Sequence, residues 1–230
     1  MGGGSLIGSF TGFGTSTLLI PLLIIWYNLP TTLIIAGTAH IFTNSSRALA
    51  HITAISWKLV AWFTPIAVCT AFIGAQFTHT LDQVLVLRIL GLLLVCYAIF
   101  NIWFRSIVLR ANATTLVLGG AAYGFIEGLT GTGGILRAAL FIAYPLSSTA
   151  YIATNAIIAL IVDIARLIVY AHHIPFLIFS WKAYIFFALT ATVGASIGRF
   201  LVQHMKNTHV RMIVLYAILI VGIKLIIMPT

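Results

Sequence analysis

Gly124-Phe125-Ile126-Glu127-Gly128-Leu129-Thr130-Gly131-Thr132-Gly133-Gly134-Ile135-Leu136-Arg137 is a glycine-rich run set in an almost wholly apolar sequence. It has a counterpart at Gly8-Ser9-Phe10-Thr11-Gly12-Phe13-Gly14-Thr15-Ser16-Thr17-Leu18-Leu19-Ile20-Pro21. Such runs predict broken helices. A break at membrane depth frees backbone groups that lipid cannot satisfy, so it persists only where protein or water lines it. Paired breaks at matching points of a duplicated membrane protein point to a transport site.

The surrounding composition places the chain in a bilayer. Of 230 residues 61% are hydrophobic and 7% charged, with mean hydropathy +1.14, far from a soluble domain. Eight apolar stretches can be marked out, at 5–26, 31–53, 59–79, 84–104, 115–143, 149–170, 176–200 and 210–228, most of them near the roughly 20 residues of a spanning helix. The net charge of +9 comes from twelve scattered Lys and Arg, which argues against a nucleic-acid partner. Most sit at segment ends, where they anchor and orient helices. Cys69 and Cys96 lie inside predicted helices without metal or disulfide spacing and read as small buried apolar residues.

The chain reads as two copies of one unit. Gly8 aligns with Gly124 and Thr38 with Thr154; Ser56-Trp57-Lys58 aligns with Ser180-Trp181-Lys182, Arg88 with Arg211 and Tyr97 with Tyr216. The order of landmarks is kept, as a repeat requires. The fold class expected is therefore all-α integral membrane: about eight hydrophobic segments as two homologous four-segment repeats, 1–110 and 111–230, the first segment of each broken by a Gly-rich motif. If all eight segments cross, the halves are parallel and loop charges tie. If the Gly-rich segments enter and leave on one side, the halves invert, and Lys58, Arg105, Arg110, Arg199, Lys206 and Arg211 share one face. Charge favours inversion, whereas the length of 115–143 favours a full crossing.

Candidate chemistry sits on two polar stripes and the two breaks. His40, Asn44, Arg47 and His51 share a helical face, as do Asn155, Asp163, Arg166 and Tyr170, and ionisable residues at this depth face an interior or a cavity. Asp163 and Arg166 are spaced to pair at i, i+3. The breaks offer half-helix ends and backbone N–H groups that suit an anion, with Arg137 adding a planar set of donors. Gly8, Gly12, Gly124 and Gly128 also fit small-xxx-small helix packing. Glu127 has no evident local partner, and reads either as a proton carrier or as a helix-end anchor. Gly194-Ala195-Ser196-Ile197-Gly198 matches a nucleophile elbow but lies in an apolar helix, the wrong setting for that motif.

With the duplicated Gly-rich segments, Pro21 and Pro30, the Ala36-Gly37-Thr38 start and the two Ser-Trp-Lys landmarks, the chain resembles the sulfite exporter TauE/SafE family of membrane permeases over nearly its whole length. It departs from the family pattern at Thr15-Ser16-Thr17 and in the placing of Glu127 and Arg137. The resemblance implies transport of sulfite, an organosulfonate or a related anion across a bacterial-type inner membrane. The expected reading is a permease working by alternating access, without cofactor or metal. Its anion would be held by Gly12, Gly14, Thr15, Asn44, Arg47, Gly131, Thr132, Gly133, Gly134, Arg137, Asn155 and Arg166, with Glu127 coupling transport to protons. Its partners would be a small anion, the lipid bilayer and, compatibly, a second copy of itself. A passive anion channel is the alternative; an intramembrane enzyme using Ser196 or Glu127 lacks a second catalytic group.

Overall fold

The structure is a computed structural model that describes residues 19–20, 23–24, 26–103, 112–173 and 207–229. Among them are seven α-helices and no strand: α1 Leu29–Ala50, α2 Trp57–Thr80, α3 Gln83–Trp103, α4 Ala113–Thr130, α5 Gly134–Phe141, α6 Ser148–His173 and α7 Asn207–Ile227. Three of them, α2, α3 over Gln83–Phe100 and α6 over Ser148–His172, are long and apolar enough to cross a membrane. The apolar stretches 31–53, 59–79, 84–104, 149–170 and 210–228 each coincide with one helix. The first Gly-rich motif with Gly12, Gly14 and Thr15, the stretch 176–200 with Ser196, and the basic residues Arg105, Arg110, Lys182, Arg199 and Lys206 lie outside the described residues.

The stretch 115–143, read from sequence as one segment, is two helices. After α4 stops at Thr130 the backbone reverses through Gly131, whose φ of 71° is the left-handed conformation that an L side chain resists. The chain then runs back along α4 as α5. Gly134 N lies 3.1 Å from Glu127 Oε2, Arg137 Nη1 lies 2.6 Å from Tyr123 OH, and Leu140 packs at Gly119. Finally Tyr144 OH reaches Asn112 O at 3.1 Å. Partner numbers fall steadily as the α5 numbers rise, so residues 112–144 form a helical hairpin that enters and leaves at one end of the bundle.

The hairpin is seated by a glycine face. Gly120, Gly124 and Gly128 of α4 meet Phe63, Ala67 and Ala71 of α2, each pair 57 positions apart, so the two helices run parallel. The approach is close: a Cβ on Gly124 would stand 2.0 Å from the Ala67 carbonyl oxygen, and one on Gly128 2.1 Å from that of Ala71. The small-xxx-small reading of Gly124 and Gly128 thus describes their place. Freed carbonyls at the break find protein donors. Thr78 Oγ1 of α2 reaches the Gly128 and Leu129 oxygens at 3.2 and 3.0 Å, and the Tyr170 hydroxyl of α6 donates to Gly128 O, meeting the helix end's need for partners in an apolar medium.

Two other pairs run antiparallel. From α1 onward Gly37, His40 and then Ser56, just past its end, meet Leu167, Asp163 and Thr154 of α6. On α3, Gly91 meets Leu225 and Ile226 of α7, while Leu94 and Val95 meet Gly222. Two apolar clusters complete the interior: Leu33, Leu90, Leu94, Leu129 and Ile218 lie in one, and Phe63, Tyr123, Phe141 and Val162 in the other. Cys69 and Cys96 are both exposed, correcting the expectation that they are buried. Their helices turn Ala67, Ala71, Leu94 and Ala98 inward instead, which leaves the thiols on the outer sides.

Candidate functional site

Hydrocarbon-depth helices bury few charges, yet two buried polar groups line this hairpin. The first lies where α1, α4 and α6 meet behind the Gly131 turn. Arg166 is wholly buried and donates from Nε to Asp163 Oδ1 at 2.9 Å, with Nη2 2.9 Å from the same oxygen. Its Nη2 also stands 3.5 Å from Glu127 Oε1 and 3.5 Å from His40 Nδ1. Asp163 Oδ2 accepts from Asn44 Nδ2 at 3.2 Å, tying α6 to α1. The i, i+3 pair expected of Asp163 and Arg166 is formed, and Asn44 and His40 join it from the facing stripe. His51, at the end of α1, is exposed. Arg47 is half-buried in the last turn of α1, where its charge meets the negative helix end.

Glu127 is better connected than its sequence neighbourhood suggests. Beyond the ion pair with Arg166, its Oε2 accepts from Gly134 N, the first turn of α5. A carboxylate there satisfies one of the helix's unpaired N–H groups and opposes the positive dipole end. The partner was invisible in sequence because it lies seven residues on, across a chain reversal. Glu127 therefore links the hairpin's two arms to α6. Nearby, Thr130 Oγ1 and Thr132 Oγ1 bond to each other at 2.8 Å inside the turn.

The second group surrounds Arg137, on the face of α5 that looks between α4 and α6. Arg137 is buried; its Nε donates to Asn155 Oδ1 at 3.0 Å and its Nη1 to Tyr123 OH at 2.6 Å, with the guanidinium 4.9 Å from the Tyr123 ring centre. Asn155 is itself oriented, donating from Nδ2 to Tyr151 O at 2.9 Å. All these partners are neutral. Among the described residues no carboxylate forms an ion pair with Arg137, in contrast to Arg166, which has two. The α2 register sets Tyr123 opposite Ile66, near the middle of that 24-residue helix.

Of the residues expected to bind substrate, the structure joins Arg137 to Asn155 and, through Asp163, links Arg166 to Asn44, while Glu127, expected to couple protons, pairs with Arg166; Gly131, Thr132, Gly133 and Gly134 form the turn beside both groups. The sequence reading missed Tyr123. Its one legible signal was position: Tyr123 stands one turn before Glu127 on the same helix face.

Two buried arginines thus flank the broken-helix hairpin, Arg137 on its second arm and Arg166 on α6 behind the turn, and buried charge of this kind at a helix break is typical of membrane transport sites. No individually curated protein and no solved structure matches the chain. The family description that matches is "Sulfite exporter TauE/SafE", over residues 1–225. The chain thus belongs to the sulfite exporter TauE/SafE family, a transporter family of the sulfite and sulfonate type.

Proposed function

We propose that the chain is a multi-pass permease that binds a small oxyanion, sulfite or an organosulfonate, at Arg137 and moves it by alternating access between two inverted repeats. One observation carries this reading: Arg137 is a buried guanidinium whose hydrogen-bond partners, Tyr123 and Asn155, are both neutral. An unpaired charge in a low-dielectric interior is costly. An anionic substrate supplies the missing counter-charge, and the fork of Arg137 suits the paired oxygens of a sulfite or sulfonate head. Gly131 N and Gly134 N already donate to Glu127, so the backbone amides of Thr132 and Gly133, at the positive end of α5, are the further donors assigned to it, with Asn155 on one side. The Gly12, Gly14 and Thr15 motif takes the equivalent role in the other repeat. Arg47, half-buried toward the end of the bundle where the hairpin enters, receives the anion from that face, and Arg166 sits behind the turn as part of its support.

The helix directions support inversion. The sequence alignment equates α1 with α6 and α3 with α7, and in both pairs the two helices run antiparallel. A hairpin that enters and leaves at one end removes the extra crossing that would make the halves parallel. That end also gathers the start of α2 with Lys58, the close of α3 and the start of α4, between which Arg105 and Arg110 fall in sequence. We assign it to the cytoplasm by its excess of basic residues.

Counterflow in proteoliposomes, with sulfite, sulfoacetate, taurine and simple carboxylates offered in turn, tests the activity and separates a saturable permease from a passive channel. A charge-assisted contact contributes about 1.5–3 kcal/mol, or roughly ten- to a hundredfold in affinity. Arg137→Ala is expected to lose about that factor, and Arg137→Lys to recover part of it, because a point charge does not reproduce the planar fork. Wild-type affinity in Arg137→Ala refutes the site.

A further inference from the structure

We propose that the buried His40–Glu127–Asp163–Arg166 cluster is a proton-binding site that takes up one proton for each monoanion bound at Arg137, so that the two cross together without net charge. The proposal rests on the anion reading of Arg137, and extends it to the coupling ion and its stoichiometry.

Of the three acidic residues in the chain, Glu127 and Asp163 are buried around Arg166. His40 Nδ1 faces the Arg166 Nη2 donor at 3.5 Å; because a guanidinium only donates, the ring is assigned as the neutral tautomer that accepts at Nδ1. The cluster then carries one surplus negative charge. Arg137, one helix turn away beyond Tyr123, carries one positive charge without an ion-pair partner. Empty, the two balance. A monoanion seated on Arg137 takes over the role of counter-charge, and the surplus on the cluster is left unmatched in a low-dielectric interior, where one added proton cancels it. Linkage is reciprocal: whatever the anion adds to proton affinity, the proton adds to anion affinity.

Geometry says which group takes the proton. Both oxygens of Asp163 are occupied, Oδ1 by Arg166 Nε with Arg166 Nη2 also against it and Oδ2 by Asn44 Nδ2, which leaves no room on that carboxyl group for a further hydrogen. Glu127 has one backbone N–H and one ion pair at 3.5 Å. Its Oε1 has the longest contact of the four carboxylate oxygens in the cluster, and protonation there weakens the tie between the hairpin and α6. His40 Nε2 and Arg166 Nη1 are buried without hydrogen-bond partners, so the cluster is not locked by its own bonds. Of the other groups, Tyr123 and Arg137 lie on the two arms of the hairpin, Tyr170 of α6 and Thr78 of α2 bond the carbonyl of Gly128 next to Glu127, and the His79 ring meets that of Tyr170 at 5.6 Å. Asp82 and Arg88 on the α3 side, and Lys224 on α7, are exposed.

A metal ion is a weaker candidate for the same place. His40, Glu127 and Asp163 each offer a ligand atom within 4.8 Å of the others, but the Arg166 guanidinium already stands between the two carboxylates. A second full cation would lie against it; a proton adds to Glu127 without displacing anything. The O–H bond formed on Glu127 at loading is broken at release, and no redox step is involved.

The test uses the full chain in proteoliposomes, with labelled sulfite at a pH where it is the monoanion bisulfite, and empty liposomes as the leak control. Exchange at zero gradient comes first: a wild-type chain that exchanges no bisulfite overturns the permease reading and this proposal with it. Given exchange, lumenal pH and charge movement are recorded as bisulfite enters down its gradient. The expected wild-type result is one proton per anion, no net charge, and rates indifferent to a potassium–valinomycin potential. Glu127→Gln, which keeps an oxygen for Gly134 N, is expected to retain exchange within about threefold while moving no proton and one negative charge per anion. Glu127→Asp, which restores a carboxyl group, is expected to regain proton movement. Electrogenic, proton-free entry in the wild type overturns the proposal even where the Gln variant fails to fold. So does proton movement in Glu127→Gln at the wild-type ratio, which leaves Glu127 a purely structural cap.

Discussion

Substituting Gly128 by alanine puts a methyl carbon 2.1 Å from the Ala71 carbonyl oxygen, and Gly124→Ala puts one 2.0 Å from that of Ala67. Ordinary contact begins at 3.4 Å, so α2 and α4 must part by about 1.3–1.4 Å at either site. Both obstacles are backbone atoms, and no side chain can rotate out of the way. Overpacking of this kind costs roughly 1–3 kcal/mol, because a gap of up to an ångström already forfeits a quarter to a half of each dispersion contact along the seam. The two glycines face the same neighbour in the same direction, one turn apart. A single displacement of α2 relieves both clashes, so the double variant is expected to fall within about 1 kcal/mol of the worse single variant, well short of the sum. Equilibrium unfolding in mixed dodecyl maltoside and dodecyl sulfate micelles measures all three. Gly119→Ala supplies a contrast, since its methyl meets only the Leu140 side chain, which can move. Strict additivity of Gly124→Ala and Gly128→Ala, or a Gly119→Ala cost equal to theirs, would refute the reasoning that a rigid backbone seam seats the hairpin.

Two further outcomes follow from the buried pair and the topology. Arg166→Ala leaves Asp163 buried with its ionic partner gone and should cost about 3–5 kcal/mol, seen as loss of folded protein on size-exclusion chromatography; Arg47→Ala should lower sulfite transport at normal abundance. Equal abundance of the two variants would separate Arg166 from the support of the fold. Cysteine at Asn112, at the mouth of the hairpin, should resist an impermeant thiol reagent in intact cells and react once the membrane is opened. Ready labelling in intact cells would reverse the assignment of sides.

Local features were readable because they belong to one helix or one turn. The helix spans follow from apolar length, the Asp163–Arg166 pair from i, i+3 spacing, and the break at Gly131 from glycines that tolerate positive φ. Pairing across the two stripes was half legible: periodicity puts His40 and Asn44 on one face and Asp163 and Arg166 on another, but only α1 lying antiparallel on α6 brings the faces together. The course of the chain after Gly131 was not legible at all. A left-handed residue ends a helix without saying where the next one goes, and 115–143 is long enough either to cross or to turn back. Packing decides it: Leu140 fits the space beside Gly119, Glu127 caps Gly134, and Arg137 finds Tyr123 and Asn155. Each of these contacts joins residues far apart along the helical repeat, where a period of 3.6 carries no information. Sequence alone thus determined a helical membrane protein with a glycine break at Gly131 and a few buried ions. Tertiary structure decided which arginine pairs with carboxylates and which has neutral hydrogen-bond partners, because that depends on the direction of a chain reversal.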